Sequence, residues 1–180
     1  MTGSIVVVDY DPQWPQAFAT IRDTLRAALA GVTVVAIEHV GSTSVPGLAA
    51  KPIIDVDVIV ERSQVDAAAT ALESAGYAPL GDFGIADRYA FSAPDGSIRQ
   101  NTYVTVDGCL SVRNHLGLRE VLRNDPALRD EYGAVKQRLA DETDDIEVYL
   151  DGKTDVVRRA LAKAGLTSVE LDEIEDSNRR

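Results

Sequence analysis

Apolar residues in this chain follow two different periods in different segments. Trp14, Phe18, Ile21, Leu25 and Leu29 recur every three or four positions. That spacing puts them on one face of a helix ending near Gly31. Asp11-Pro12 just before it reads as a cap followed by proline in the first turn. Residues 6–8 read as a short first strand. Residues 32–40 and 52–60 have strand character, the second through Ile53, Ile54, Val56, Val58, Ile59 and Val60, all β-branched. A second helix is expected from Ser63, with Val65, Ala69 and Leu72 inward and Gly76 at its end. Residues 77–80, 88–92 and 98–106 read as strands, and Pro94-Asp-Gly96 predicts a hairpin between the last two. Helices follow at 112–123, after Asp125-Pro126 (with Leu128, Tyr132, Val135 and Leu139 on one side), and at 154–163, stopped by Gly165. The pattern predicts an α/β (α+β) fold, a mixed sheet flanked by helices, over residues 1–166. Residues 167–180 carry Val169, Leu171 and Ile174 in an acidic background and are expected to form a loosely held C-terminal tail.

Composition narrows the function classes. The 180 residues are 45% hydrophobic, enough for one sizeable core. No apolar run approaches the ~20 residues of a membrane helix, and the first residues lack the pattern of a signal peptide. Cys109 is the single cysteine, which excludes an intrachain disulfide and points to a reducing, cytoplasmic location. Its expected role is a small residue near a strand edge. The formal net charge of −11 argues against nucleic acid as the main partner, because Lys and Arg contacts dominate that affinity. A small phosphorylated ligand remains compatible.

The chemistry concentrates in Asp55-Val56-Asp57. Alternation along a strand turns both carboxylates to one side, with Cα atoms about 6.5–7 Å apart. Two such charges on an apolar strand repel, and a divalent cation relieves that cost. Mg²⁺ takes oxygen ligands, commonly one or two carboxylates plus substrate phosphates. Upstream, Gly41 lets the backbone approach a ligand, and Ser42, Thr43 and Ser44 offer hydroxyls and N–H groups suited to phosphate. Lys51 adds a positive charge. Arg88 and Arg99, on strands expected beside the carboxylate strand, are candidate phosphate clamps, and Lys153 is a further candidate. His39 is balanced between a ligand contact and a structural hydrogen bond. His115 is expected to be a packing histidine, and Arg113, Arg119 and Arg123 an exposed basic face.

The order strand, Gly-Ser turn, short helix, strand with Asp-x-Asp resembles the core of the nucleotidyltransferase superfamily. The longer motif from Glu38 to Val58 (E-H-V-G-S-T-S-V-P-G-L-A-A-K-P-I-I-D-V-D-V), with Tyr10-Asp-Pro-Gln-Trp14, Leu110-Ser-Val-Arg-Asn-His-Leu116 and Tyr149-Leu-Asp-Gly-Lys153, is similar to the GrpB family. That family is also described as a dephospho-CoA kinase accessory domain. The similarity spans about residues 5–165. It implies a nucleotidyltransferase-like fold, phosphates held at Gly41, Ser42 and Thr43, and Mg²⁺ (or Mn²⁺) held by Asp55 and Asp57. It implies a nucleoside triphosphate and a small-molecule acceptor as partners. Many relatives carry His-x-His on the strand after Asp-x-Asp, where this chain has Asn101 and Tyr103. A third carboxylate, needed by active nucleotidyltransferases, has Asp107 and Glu147 as candidates. The sequence therefore leaves open a ligand-binding or folding accessory module without turnover, and a protein-interaction role for the acidic tail.

Overall fold

A computed structural model describes residues 5–178; residues 1–4, and Arg179 and Arg180 of the expected tail, lie outside the described residues. Five strands form one mixed sheet in the order β1-β2-β5-β4-β3. They are β1 (Val34–Val40), β2 (Ile54–Val60), β3 (Ala78–Gly81), β4 (Arg88–Ser92) and β5 (Gln100–Val106). β2 runs antiparallel to β1 and parallel to β5, while β4 pairs antiparallel with both β5 and β3. The parallel pairing requires a crossover, supplied by α2 (Val65–Ser74), β3 and β4. The hairpin expected around Pro94-Asp-Gly96 joins β4 to β5.

The two faces of β2 have different fates because its side chains alternate. Ile54, Val56, Val58 and Val60 pack against Trp14, Ile21 and Leu25 of α1 (Trp14–Ala28) and against Ala68 and Leu72 of α2. The opposite face carries Asp55 and Asp57 and meets α3 (Leu110–Asn124). A second core joins Val45 and Leu48, after the Gly-Ser turn, to Leu122 of α3, Leu128 and Tyr132 of α4 (Pro126–Glu142), and Val156 and Ala160 of α6 (Thr154–Lys163). The helices therefore grip the turn that precedes β2.

Four local expectations change. Residues 6–8 form no strand; Val8 makes a single antiparallel bridge to Ala50. α1 starts at Trp14, with Pro15 rather than Pro12 in its first turn, and Asp11 Oδ1 instead accepts from the Gln13 N–H at 2.8 Å. A short helix, α5 (Ile146–Gly152), occupies a stretch where none was expected, capped by Asp145. The supposed tail is largely the helix α7 (Ser168–Asn178), docked through buried Leu171 and Ile174 onto Leu161 and Leu166. No helix among the described residues is long and apolar enough to cross a membrane.

Candidate functional site

Gly41 ends β1 with φ +69°, a conformation natural to glycine. A Cβ there would overlap Asp55 Oδ2, so the turn and the first carboxylate are fitted to each other. Asp55 lies across the parallel ladder from Asn101, and Asp57 from Tyr103. Asn101 Nδ2 donates to Asp55 Oδ1 at 2.7 Å. His115 Nδ1 lies 2.8 Å from Asp57 Oδ2. Asp57 is fully buried, and its Oδ1 has no hydrogen-bond partner. Each carboxylate is thus held through one oxygen, leaving Asp55 Oδ2 and Asp57 Oδ1 without a hydrogen bond among the described residues. Burial pushes the Asp55 carboxyl above its ordinary value; Asn101, His115 and Lys153 pull against this and the Asp57 charge adds to it. Burial alone would lower the His115 pKa, but the charge and hydrogen bond of Asp57, with Asp55 beyond, raise it overall.

Three lysines gather on the Asp55 side. Lys51 and Lys153 sit over the Tyr149 ring at 5.2 and 5.3 Å, and Lys136 over the Tyr132 ring at 4.3 Å. Tyr132 in turn lies near enough to Ser42 for the two side chains to interact. All three lysines interact with Asp55, and burial together with mutual repulsion lowers the pKa of Lys51 and Lys136. Burial also lowers that of Lys153. Lys136 is only 2% exposed, its Nζ has no partner, and its pKa falls to about 6. A buried ammonium without an acceptor is costly. Gly41, Ser42, Asp55 and the three lysines therefore form a cluster whose charge suits a polyanion.

The expected site residues divide. Gly41, Ser42, Lys51, Lys153, Asp55 and Asp57 come together, with Arg99 close enough to act on the Lys51 charge. Arg88 stands apart, its guanidinium 4.9 Å over the Tyr103 ring on the His115 side. The Thr43 side chain is turned into the core, where its hydroxyl meets His39 Nε2 at 3.0 Å and donates to the Ile53 carbonyl at 3.3 Å. His39 stacks on Phe18, away from the carboxylates, and burial, with the charges of Arg123 and Arg119, lowers its pKa to about 4. Its role is structural. His115, expected to pack, instead holds Asp57. The supposed exposed basic face is engaged: Arg119 donates to Glu38 at 2.7 Å and to the His39 carbonyl at 2.9 Å, Arg123 forks onto the Ser44 carbonyl, and Arg113 pairs with Glu170. Lys136 was missed, although its spacing of four from Tyr132 puts it on the inward stripe of α4.

Neither candidate for a third carboxylate reaches the pair. Asp107 lies past the far end of β5, its N–H bonded to the Val60 carbonyl, and Glu147 is exposed on α5. The acid that faces Asp57 across the antiparallel ladder is Glu38, which Arg119 occupies. Among the described residues no group of three or more His, Cys, Asp or Glu side chains that could hold a metal comes together. Two carboxylates with one open oxygen each suit a single divalent cation completed by phosphate oxygens or water, not a symmetric two-metal clamp.

A family profile described as GrpB protein matches residues 4–163. The chain belongs to the GrpB family. Its relatives include the UPF0157 protein BH1888 of Halalkalibacterium halodurans, 35% identical over 92% of this chain and 85% of that protein. The UPF0157 protein YqkA of Bacillus subtilis is 31% identical over 89% of this chain, but this chain spans only about half of it, 47%. A dephospho-CoA kinase of Mycolicibacterium paratuberculosis is 29% identical over 88% of this chain and 45% of that protein. The crystal structure of the conserved protein GrpB from Enterococcus faecalis superposes with a TM-score of 0.76 at 33% identity, covering 89% of this chain and all of that one. The GLD-2/RNP-8 complex shares the fold at a TM-score of 0.55 and 16% identity, over 84% of this chain and 60% of that one. The chain thus has the fold of the Enterococcus faecalis GrpB protein. The α7 helix lies beyond the stretch matched by the GrpB profile.

Proposed function

We propose that the protein binds a nucleoside triphosphate with Mg²⁺ (or Mn²⁺) and transfers its nucleotidyl group to a small acceptor. The observation that carries this reading is the juxtaposition of the Asp55–Asp57 pair with the cluster of Lys51, Lys136 and Lys153, where Lys136 Nζ lacks any acceptor. Asp55 and Asp57 would hold the cation through their open oxygens. When bound, the cation neutralises charge on the phosphate oxygens. Gly41 permits close approach of the backbone, Ser42 offers its hydroxyl beside Tyr132, and Lys51, Lys136 and Lys153 bind the phosphate chain. His115 and Asn101 fix the carboxylate orientations. The catalytic contribution of these residues is positioning and fixed electrostatics.

Pyrophosphate release in the presence of a metabolite extract, followed with α- and γ-labelled triphosphate, tests the reading. Transfer of the α-label, dependent on Mg²⁺ and lost in Asp55→Ala and in Asp57→Ala, is the expected result. Transfer of the γ-label would instead identify a kinase. Binding of nucleotide with neither label moving favours a second reading, a binding module without turnover. Two observations support that second reading: Asn101 and Tyr103 occupy the ladder positions beside the carboxylates, and a related segment forms part of a dephospho-CoA kinase.

A further inference from the structure

A cavity of about 610 Å³ opens beside His115 and Arg88, walled by the loop before β4, the first turns of α3, and α7. That volume is within the range of small-molecule sites. None of Lys51, Lys136 and Lys153 lines it. Its link to the carboxylates is His115, which lines the cavity and hydrogen-bonds Asp57. We propose that this cavity takes the acceptor of the nucleotidyl transfer, and that it selects a small cationic alcohol such as an amino sugar. The acceptor role rests on the function proposed above; the cation preference does not.

The class follows from the distribution of charge. Of the acidic residues lining the cavity, Asp87 is neutralised by Arg62 at 2.6 Å and Asp172 by Arg158 at 2.8 Å. Glu173 and Asp176 have no cationic partner among the described residues. They stand three apart on α7, hence on one helix face, and form the outer wall. The inner wall carries His115 and Arg88, whose Nε is buried without an acceptor. A ligand with an ammonium group at one end and a hydroxyl at the other satisfies both walls: the ammonium meets Glu173 and Asp176, and the hydroxyl oxygen accepts from Arg88. An anionic ligand would face two carboxylates that have no cationic partner among the described residues. In the transfer, the acceptor oxygen forms a bond to the α-phosphorus while the bond to pyrophosphate breaks. Pyrophosphate leaves with the electron pair, and the hydroxyl proton passes to water.

Matched sugars separate the charge preference from size. In ligand-observed NMR titrations of the whole chain, glucosamine is expected to bind at least tenfold more tightly than glucose, with glucose 6-phosphate weaker still. The double substitution Glu173→Lys, Asp176→Lys changes only exposed positions of α7, so the fold, checked by circular dichroism, is retained. It is expected to weaken glucosamine at least tenfold and leave Mg-ATP binding unchanged. Val169→Trp, at an exposed position on the cavity wall, gives an independent steric block of glucosamine. Equal binding of glucosamine and glucose, or a preference for the phosphorylated sugar, overturns the proposal. So does an equal loss of ATP in the double variant, which would assign the cavity to the nucleotide. Failure of ATP to bind the parent protein while glucosamine binds would sink the acceptor role and the proposed reaction together, leaving a cation site.

Discussion

Gly41 and Asp55 are coupled by space as well as by chemistry. Alanine at 41 must adopt a left-handed conformation, costing about 1–3 kcal/mol, and its Cβ would displace Asp55 Oδ2. Gly41→Ala should therefore lower the melting temperature by roughly 2–10 °C. The loss should shrink in the Gly41→Ala, Asp55→Ala double variant, because the overlapping oxygen is gone; additive losses would show that the two sites do not touch. Lys136 sets stability against function. Its folded pKa of about 6 lies below the unfolded value of 10.5, so the unfolded chain binds more protons between those limits. Stability should then rise with pH across that window, and the penalty should be complete below about pH 6. Lys136→Met is expected to stabilise the fold by about 1–3 kcal/mol near pH 6–7, with the gain fading toward pH 10, while weakening triphosphate binding. Urea unfolding across pH, with a nucleotide titration, checks both. The carboxylates were legible because strand alternation is a rigid rule. Lys136 and His115 were not, because a buried lysine reads like a surface one, and the His115 partner lies 58 residues away.

At the scale of elements, α7 shows how composition can mislead. Its acidity suggested a loose tail, yet the sequence carried a start signal in Thr167-Ser-Val-Glu170. The Thr167 N–H and hydroxyl both donate to Glu170 Oε2, at 2.8 and 2.9 Å, and Thr167 Oγ1 accepts from the Glu170 N–H. This is a capping box. Arg158 then pairs with Asp172 and Glu175, at 2.8 and 2.6 Å. Leu171→Ala should cost about 2 kcal/mol, or roughly 4–8 °C in melting temperature. Truncation after Leu166 should cost at least as much, and an unchanged melting curve would mean that the helix does not dock in solution. The hydrogen bond from Arg113, helped by those from Thr167, holds the Glu170 pKa at about 2. Because that value lies below the ordinary 4.5, the contribution is present above pH 4.5 and is lost as pH falls toward 2. Glu170→Gln should flatten that acid transition. The strands and long helices were readable because period and length agreed. The seven-residue α5 was too short to show a period.

For the whole molecule, the acidic surface and the lysine cluster serve different ends. A net charge of −11 opposes non-specific polyanion binding, while Lys51 and Lys153, half-buried beside one turn, retain a local attraction for a compact one. The sheet order gives β2 a further part. It is paired on both edges, and its residues alternate between the packed core and the carboxylate face. A slip of one residue in its pairing would drive Asp55 and Asp57 in among Trp14, Leu25 and Leu72, and turn Val56 and Val58 outward. Buried unpaired carboxylates are heavily penalised. The same two side chains that would hold a metal therefore proofread the folding of the strand that carries them. In an Asp55→Val, Asp57→Val chain both faces of β2 would be equally apolar, and refolding would lose its means of rejecting the wrong register.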